Sequence, residues 1–237
     1  MILMHPQPIL LVSTNVTDEE MASRMFTVTR LNKQTVWPEL IEAEIEVSNV
    51  DRVALFNLSA TSIELRLTDN KQAQVVQDVT VDLATGEGDY LQWIIHPIYI
   101  YPDATLRIRI HNPGADVRCG LVGVGRSSFV GLTQYGAKPG FADYSIVDTD
   151  EFGQTYLEPG AWAKKPDVRT MIEVGALDAV AEELTEARGS LVFFEANEAE
   201  TQYEGLRAFG FIESWRIRTV QNAPDIAWVD ISFQGVV

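Results

Sequence analysis

The strongest constraint on the fold is an alternation of apolar and polar residues that recurs in short runs. A period of two is typical of a strand with one buried face. Turn-forming segments such as HNPGAD, at 111–116, separate the runs. We therefore predict a mainly-β chain that begins with an antiparallel β-sandwich over residues 1–124. The alternating runs are TSIELRL (61–67), DVTVDL (78–83) and TLRIRI (105–110).

The composition of the sequence changes after GVGRSS at 123–128. Residues 127–160 are rich in glycine, aromatic and acidic residues, which favours loops and a hairpin. We place a second domain at 125–237. Its predicted strands are VRTMIEV (168–174), SLVFFEA (190–196), GLRAFGFIESWRI (205–217) and IAWVDISFQGV (226–236).

The segment ALDAVAEELTEARGS has the pattern of an amphipathic helix, which we predict over residues 176–188. Gly189 is suited to the left-handed position after its last turn. A short helix with one apolar face is stable only when a sheet covers that face. The second domain is therefore predicted to be strand-rich, with one helix packed on its sheet. The predicted helix core is Leu177, Val180, Ala181 and Leu184.

The charge of the chain bears on its partners. The formal net charge is −16, and both halves contain more acidic than basic residues. Nucleic acid binding depends on neutralising phosphates with Lys and Arg, so we expect neither nucleic acid nor an anionic membrane as a partner. The start, MILMHPQPILLVST, lacks the basic region of a signal peptide, and no apolar run is long enough to span a bilayer. We expect a soluble protein made in a cytoplasm.

The residues that usually carry chemistry form no recognisable motif. His5, His96 and His111 lack metal-ligand or triad spacing. The run DTDEFG at 148–153 starts like a calcium loop but has Phe at the fifth position. The single cysteine, Cys119, lies in a strand-like run and is expected to be buried. We predict no catalytic residues, no metal and no cofactor, and hence no enzyme.

Aromatic residues are abundant in the segment that links the two domains. Filling a core is one interpretation of these rings. Their glycine- and proline-rich context favours a subunit interface instead, on a hairpin that reaches a neighbour. The candidate interface residues are Phe152, Tyr156 and Trp162, and the other aromatic residues of the segment are Phe129, Tyr135, Phe141 and Tyr144.

The order of elements in the second half resembles a known family. A loop region ending FADYSIVDTDEFGQTYLEPGAWAKKPDVRTMIEV is followed by the short helix, LVFFEA, YEGLRAFGFIESW and IAWVDISFQGV. This order is similar to the tail-tube-like, ring-forming domain of tailed-bacteriophage distal tail and baseplate (tail-tip) proteins. The resemblance implies that residues 125–237 form a β-sandwich or split barrel with one flanking helix. The first half resembles the galectin-like or carbohydrate-binding-like modules that such proteins carry, although the two modules stand here in the reverse order.

The resemblance implies a structural role in a virion. Copies would join edge to edge as a ring or trimer and would contact other tail proteins such as the tail tube, hub or fibres. The alternative is a module or adhesin attached to the tail that binds a glycan on the host surface. A strand-rich enzyme is a third possibility, for which the sequence offers no catalytic motif.

Overall fold

The chain divides into two compact units. The structure is a computed structural model that describes residues 1–27, 33–83, 92–134, 136–196, 206–220 and 223–236. The N-terminal unit is Met4–Ser127, and the C-terminal unit combines Met1–Leu3 with Ser128–Val237. The sequence placed the division between residues 124 and 125 and assigned the first three residues to the first domain.

Antiparallel strands dominate the first part of the chain, which confirms the prediction of a mainly-β fold. A short helix, α1, is the exception, and it begins at a capping aspartate, Asp18. The elements up to Phe129 are β1 (Ile2–Pro6), β2 (Leu10–Thr14), α1 (Glu19–Arg24), β3 (Thr35–Val47), β4 (Arg52–Leu58), β5 (Ser62–Asp69), β6 (Gln74–Asp82), β7 (Gln92–Pro97), β8 (Ala104–Cys119) and β9 (Leu121–Phe129).

The N-terminal unit is a sandwich of antiparallel strands. One sheet has the strand order β2-β3-β8-β5-β6, and the other contains β9-β4-β7. The alternation seen in the sequence is confirmed, because the apolar residues at every second position of β5 and β8 are buried. They pack with apolar side chains of β4 and β9 in one continuous core. The buried alternating residues are Ile63, Leu65, Leu67, Leu106, Ile108 and Ile110.

The predicted turn at 111–116 is wrong. β8 runs through this segment and stays paired with β3 on both sides of it. The register shifts between Pro38 and Leu40, and Gly114 has a positive φ of 80°. The glycine and proline of this run therefore produce an irregularity inside a long strand, because β3 supplies pairing partners beyond it.

The C-terminal unit contains five neighbouring antiparallel strands in the order β10-β15-β18-β17-β16. Two short ribbons lie between β10 and β15 in the sequence and form separate two-stranded sheets. The elements are β10 (Leu132–Thr133), β11 (Phe141–Asp143), β12 (Ile146–Thr149), β13 (Thr155–Glu158), β14 (Trp162–Lys164), β15 (Asp167–Glu173), a 3-10 turn (Val174–Ala176), α2 (Leu177–Glu186), β16 (Val192–Glu195), β17 (Arg207–Val220) and β18 (Ala223–Gly235).

The flanking helix of the C-terminal unit is α2, which packs against β17. It spans Leu177–Glu186 and follows a 3-10 turn, so it is slightly shorter than the predicted 176–188. Val180 and Leu184 are buried, whereas Leu177 and Ala181 are half-buried. Leu177 is less enclosed because it stands in the first turn, at the end of the apolar stripe.

Aromatic rings and one ion pair fill the region around β16. Phe193 and Phe209 are directly paired across β16 and β17, and their ring centroids are 4.6 Å apart. In the same strands, the Nε of Arg207 donates to Oε1 of Glu195 at 2.7 Å. Both charged side chains are almost fully buried, so this ion pair helps to offset their loss of water.

Candidate functional site

The candidate interface residues lie on an exposed two-stranded arm, residues 141–164, that leaves the C-terminal unit. β11 pairs with β14 at the base of the arm, and β12 pairs with β13 nearer the tip. The backbone N–H of Tyr144 donates to the carbonyl of Ala161 at 2.9 Å, which joins the two ribbons. The arm is therefore one long hairpin with its turn at residues 150–154.

The strand register decides which side chains share a face. Val147 is opposite Leu157, and Asp148 is opposite Tyr156. Since successive residues point to opposite faces, Val147 and Leu157 lie on one face and Tyr156 lies on the other with Ile146. All four are exposed. The outer half of the arm thus presents apolar side chains on both of its faces.

A single carboxylate organises the tip of the arm. Oδ1 of Asp150 accepts hydrogen bonds from the backbone N–H groups of Phe152 at 3.0 Å and Gln154 at 2.8 Å. Its Oδ2 accepts the hydroxyl of Tyr156 at 3.1 Å. Gly153 completes the turn with a positive φ of 80°. This arrangement holds Phe152 at the turn with 82% of its surface exposed.

The base of the arm is fixed to the C-terminal unit. Ala163 of β14 is buried, and the hydroxyl of Tyr144 accepts a hydrogen bond from Nε2 of Gln234 at 3.0 Å. Lys165, just beyond the arm, forms an ion pair with Glu213, with Nζ and Oε2 2.9 Å apart. The hydrogen bond to Glu213 raises the pKa of Lys165 above its ordinary value. The arm is therefore anchored at one end only.

A second acidic side chain supports the junction of the two ribbons. Asp143 accepts hydrogen bonds from the hydroxyl of Ser145 at 2.6 Å and from its backbone N–H at 2.9 Å. These two bonds hold the pKa of Asp143 below its ordinary value. The Ser145 hydroxyl oxygen also accepts the backbone N–H of Gly160 at 3.0 Å, so it connects the two strands.

The arm brings together all three candidate interface residues. Tyr156 is 57% exposed and Trp162 is 58% exposed, so neither fills a core of its own chain. Phe141 and Trp162 lie on the outward face of the base ribbon, opposite the face of Ala163. Tyr135 lies outside the described residues. Sequence reasoning missed three further exposed apolar residues of the arm, Ile146, Val147 and Leu157.

The groups considered for chemistry are dispersed. Burial raises the pKa of the Cys119 thiol to about 12, so it stays protonated at neutral pH. Nε2 of His111 lies 3.4 Å from Oε1 of Glu64 on the N-terminal sandwich. Within the described ranges no three His, Cys, Asp or Glu side chains are grouped to hold a metal ion. None of the helices described has the length and apolar content to cross a membrane.

Comparison with known proteins gives a likeness to solved structures alone. No protein-family model and no curated protein matches the chain. The lectin domain of lectinolysin complexed with Lewis B antigen is 14% identical, with a TM-score of 0.37, over 52% of this chain and 94% of that one. A histidine mutant of the lectinolysin domain with Lewis b gives the same identity and TM-score over 93% of its length. A likeness at this level says nothing about what this chain binds.

Proposed function

We propose that the protein is a structural assembly component that binds neighbouring subunits through the arm. The observation that carries the proposal is an apolar hairpin anchored at its base and exposed along its outer half. An isolated two-stranded hairpin is marginally stable in water, and contiguous apolar patches of this kind mark interaction sites. A neighbouring subunit would remove these side chains from water.

The site of assembly in this proposal is the tail tip or baseplate of a tailed bacteriophage. The order of elements in the C-terminal half, with one helix flanking a sheet, supports this placement by its similarity to ring-forming tail domains. Copies of the chain would bind one another and then the adjoining tail proteins. Phe152, Tyr156 and Trp162 are the expected anchors, each contributing about 2 kcal/mol or more to binding.

Deletion of residues 150–158 tests the proposal. Because these residues lie outside the buried cores, the variant should keep the circular dichroism and melting temperature of the full chain and lose incorporation into tails. Replacing the exposed Tyr99 of the N-terminal unit by serine is a matched control that should leave incorporation intact. Normal incorporation of the deletion variant would refute the proposal, and an unfolded variant would show that the arm belongs to the core.

An exposed aromatic residue favours glycan binding by the N-terminal unit as a second candidate function. Tyr99 is exposed, and its backbone N–H donates to Oε1 of Gln77 at 2.8 Å. The amide of Gln77 also donates to the carbonyl of Pro97 at 3.3 Å, so this amide is fixed next to the backbone of Tyr99. An apolar ring with a neighbouring amide suits a sugar. Tyr99→Ala should then abolish binding on a glycan array, and an unchanged array signal would exclude this site.

A further inference from the structure

The C-terminal unit contains an apolar groove of about 390 Å³. The groove forms where β10, β15 and the start of α2 meet the beginning of β18, and Glu173 is the one charged residue among the described residues that line it. Two residues of its wall, Phe129 and Leu132, are more than half exposed. The lining side chains used in the following argument are Phe129, Leu132, Met171, Ile172, Val180 and Ile226.

We infer that this groove receives the arm tip, with Phe152, of a second copy of the chain. The inference rests on the proposed function, because it names the partner surface of the same arm. Two features of the C-terminal unit suggest this contact. One is the exposed side chain of Phe152, whose backbone is fixed by the turn, and the other is the apolar groove.

The groove has the size that an aromatic anchor needs. An apolar cavity of about 150 Å³ holds benzene, so a groove of about 390 Å³ accepts a phenyl ring and leaves room for a further side chain. Phe152 is 82% exposed, so it does not fill the groove of its own chain. Contact would remove apolar area of both the tip and the groove from water.

The positions of the arm and groove favour contact between different copies. Ile226, in the groove, is near the start of β18. The base of the arm lies at the other end of β18, because the backbone carbonyl of Lys164 packs so closely against Gly235 that a side chain there would clash with it. The interval along β18 is about 30 Å at ~3.3 Å per residue. A donor and an acceptor at opposite ends of one unit make a head-to-tail contact, which repeats from copy to copy.

The exposed apolar area of the whole arm is comparable with that used in a stable protein contact. The exposed apolar side chains of the arm present on the order of 1,000 Å², since a whole aromatic side chain contributes about 150–250 Å². A stable protein interface uses about 800 Å² per partner. The whole arm, counted over both faces, therefore presents an area comparable with one side of a stable interface, and the groove and its exposed rim receive the tip of it.

Two single substitutions separate the two halves of this contact. Phe152→Ser removes the anchor, and Leu132→Asp places a charge on the exposed rim of the groove. Each should weaken self-association by about 30-fold or more, measured by analytical ultracentrifugation. Val12→Ser and Leu10→Asp are matched controls, since both residues are exposed in the N-terminal unit and lie outside the arm and the groove. Ala176→Trp, which fills the groove without adding a charge, repeats the test if Leu132→Asp fails to fold.

Mixing the two variants is the decisive experiment. The Leu132→Asp chain keeps an intact tip and the Phe152→Ser chain keeps an intact groove, so the mixture should form a one-to-one dimer and no larger species. Absence of a dimer overturns the inference. If Phe152→Ser loses self-association while both groove variants retain it, the arm functions but binds elsewhere. A wild-type chain that stays monomeric, or a Phe152→Ser chain that assembles normally, refutes the proposed function itself.

Discussion

The burial of Leu184 gives a quantitative test of the C-terminal unit. Its side chain is 0% exposed in the middle of α2. Replacing such a leucine by alanine costs about 2–5 kcal/mol. Aspartate adds the cost of desolvating an unpaired carboxylate, which is several kcal/mol more. Leu184→Asp should therefore lower the free energy of unfolding by roughly 5 kcal/mol or more, comparable with the ~5–15 kcal/mol of a whole domain.

Urea unfolding followed by circular dichroism measures this loss, and limited proteolysis shows which unit opens. Ala179→Asp is the matched control, because Ala179 is exposed on the same helix and a surface substitution should change stability by about 0.5 kcal/mol or less. If Leu184→Asp unfolds at the wild-type urea concentration, α2 does not pack on the sheet and the described C-terminal unit is wrong.

Three further predictions concern buried and paired groups. Replacing Glu195 by alanine should lower the free energy of unfolding by about 3–5 kcal/mol, because the buried charge of Arg207 loses this partner. Replacing both residues by apolar ones should recover much of that stability, and equal urea midpoints for the single variant and wild type would contradict this. Cys119, with its pKa of about 12, should react with thiol reagents at pH 8 only after unfolding, and prompt labelling of the native chain would show that it is accessible. The hydrogen bond from Arg107 lowers the pKa of Glu44 below its ordinary 4.5. The ionised Glu44 therefore stabilises the folded chain above pH 4.5, and this contribution is lost as the pH falls through the lowered pKa. Glu44→Gln should be less stable than wild type by under about 1 kcal/mol at pH 7, and the difference should vanish in acid.

The local patterns of the sequence predicted those features that depend on one buried face. The alternation around Leu65 and Leu106 identified β5 and the first half of β8, because a period of two records which side meets the core. The stripe of α2 was predicted for the same reason. The segment 111–116 was misinterpreted because turn-forming residues are tolerated where a long partner strand continues the pairing.

The arm and the groove were harder to predict for different reasons. The alternation in β12 and β13 is the same whether a neighbouring layer covers the ribbon or solvent does, so the exposure of Val147 and Leu157 depends on tertiary structure. The groove collects side chains such as Leu132, Val180 and Ile226 from elements that are distant in sequence. No local sequence pattern predicts that these side chains lie together.

The turn held by Asp150 has a consequence for the kinetics of assembly. Its carboxylate accepts two hydrogen bonds from the turn and one from Tyr156 of β13, so the tip keeps its conformation without a partner. A segment that is ordered beforehand loses little conformational entropy on binding. Encounter between subunits should therefore follow simple second-order kinetics, with no slow folding step after contact, and loosening the turn by Asp150→Ala should reduce the rate of productive encounters while leaving Phe152 in the sequence.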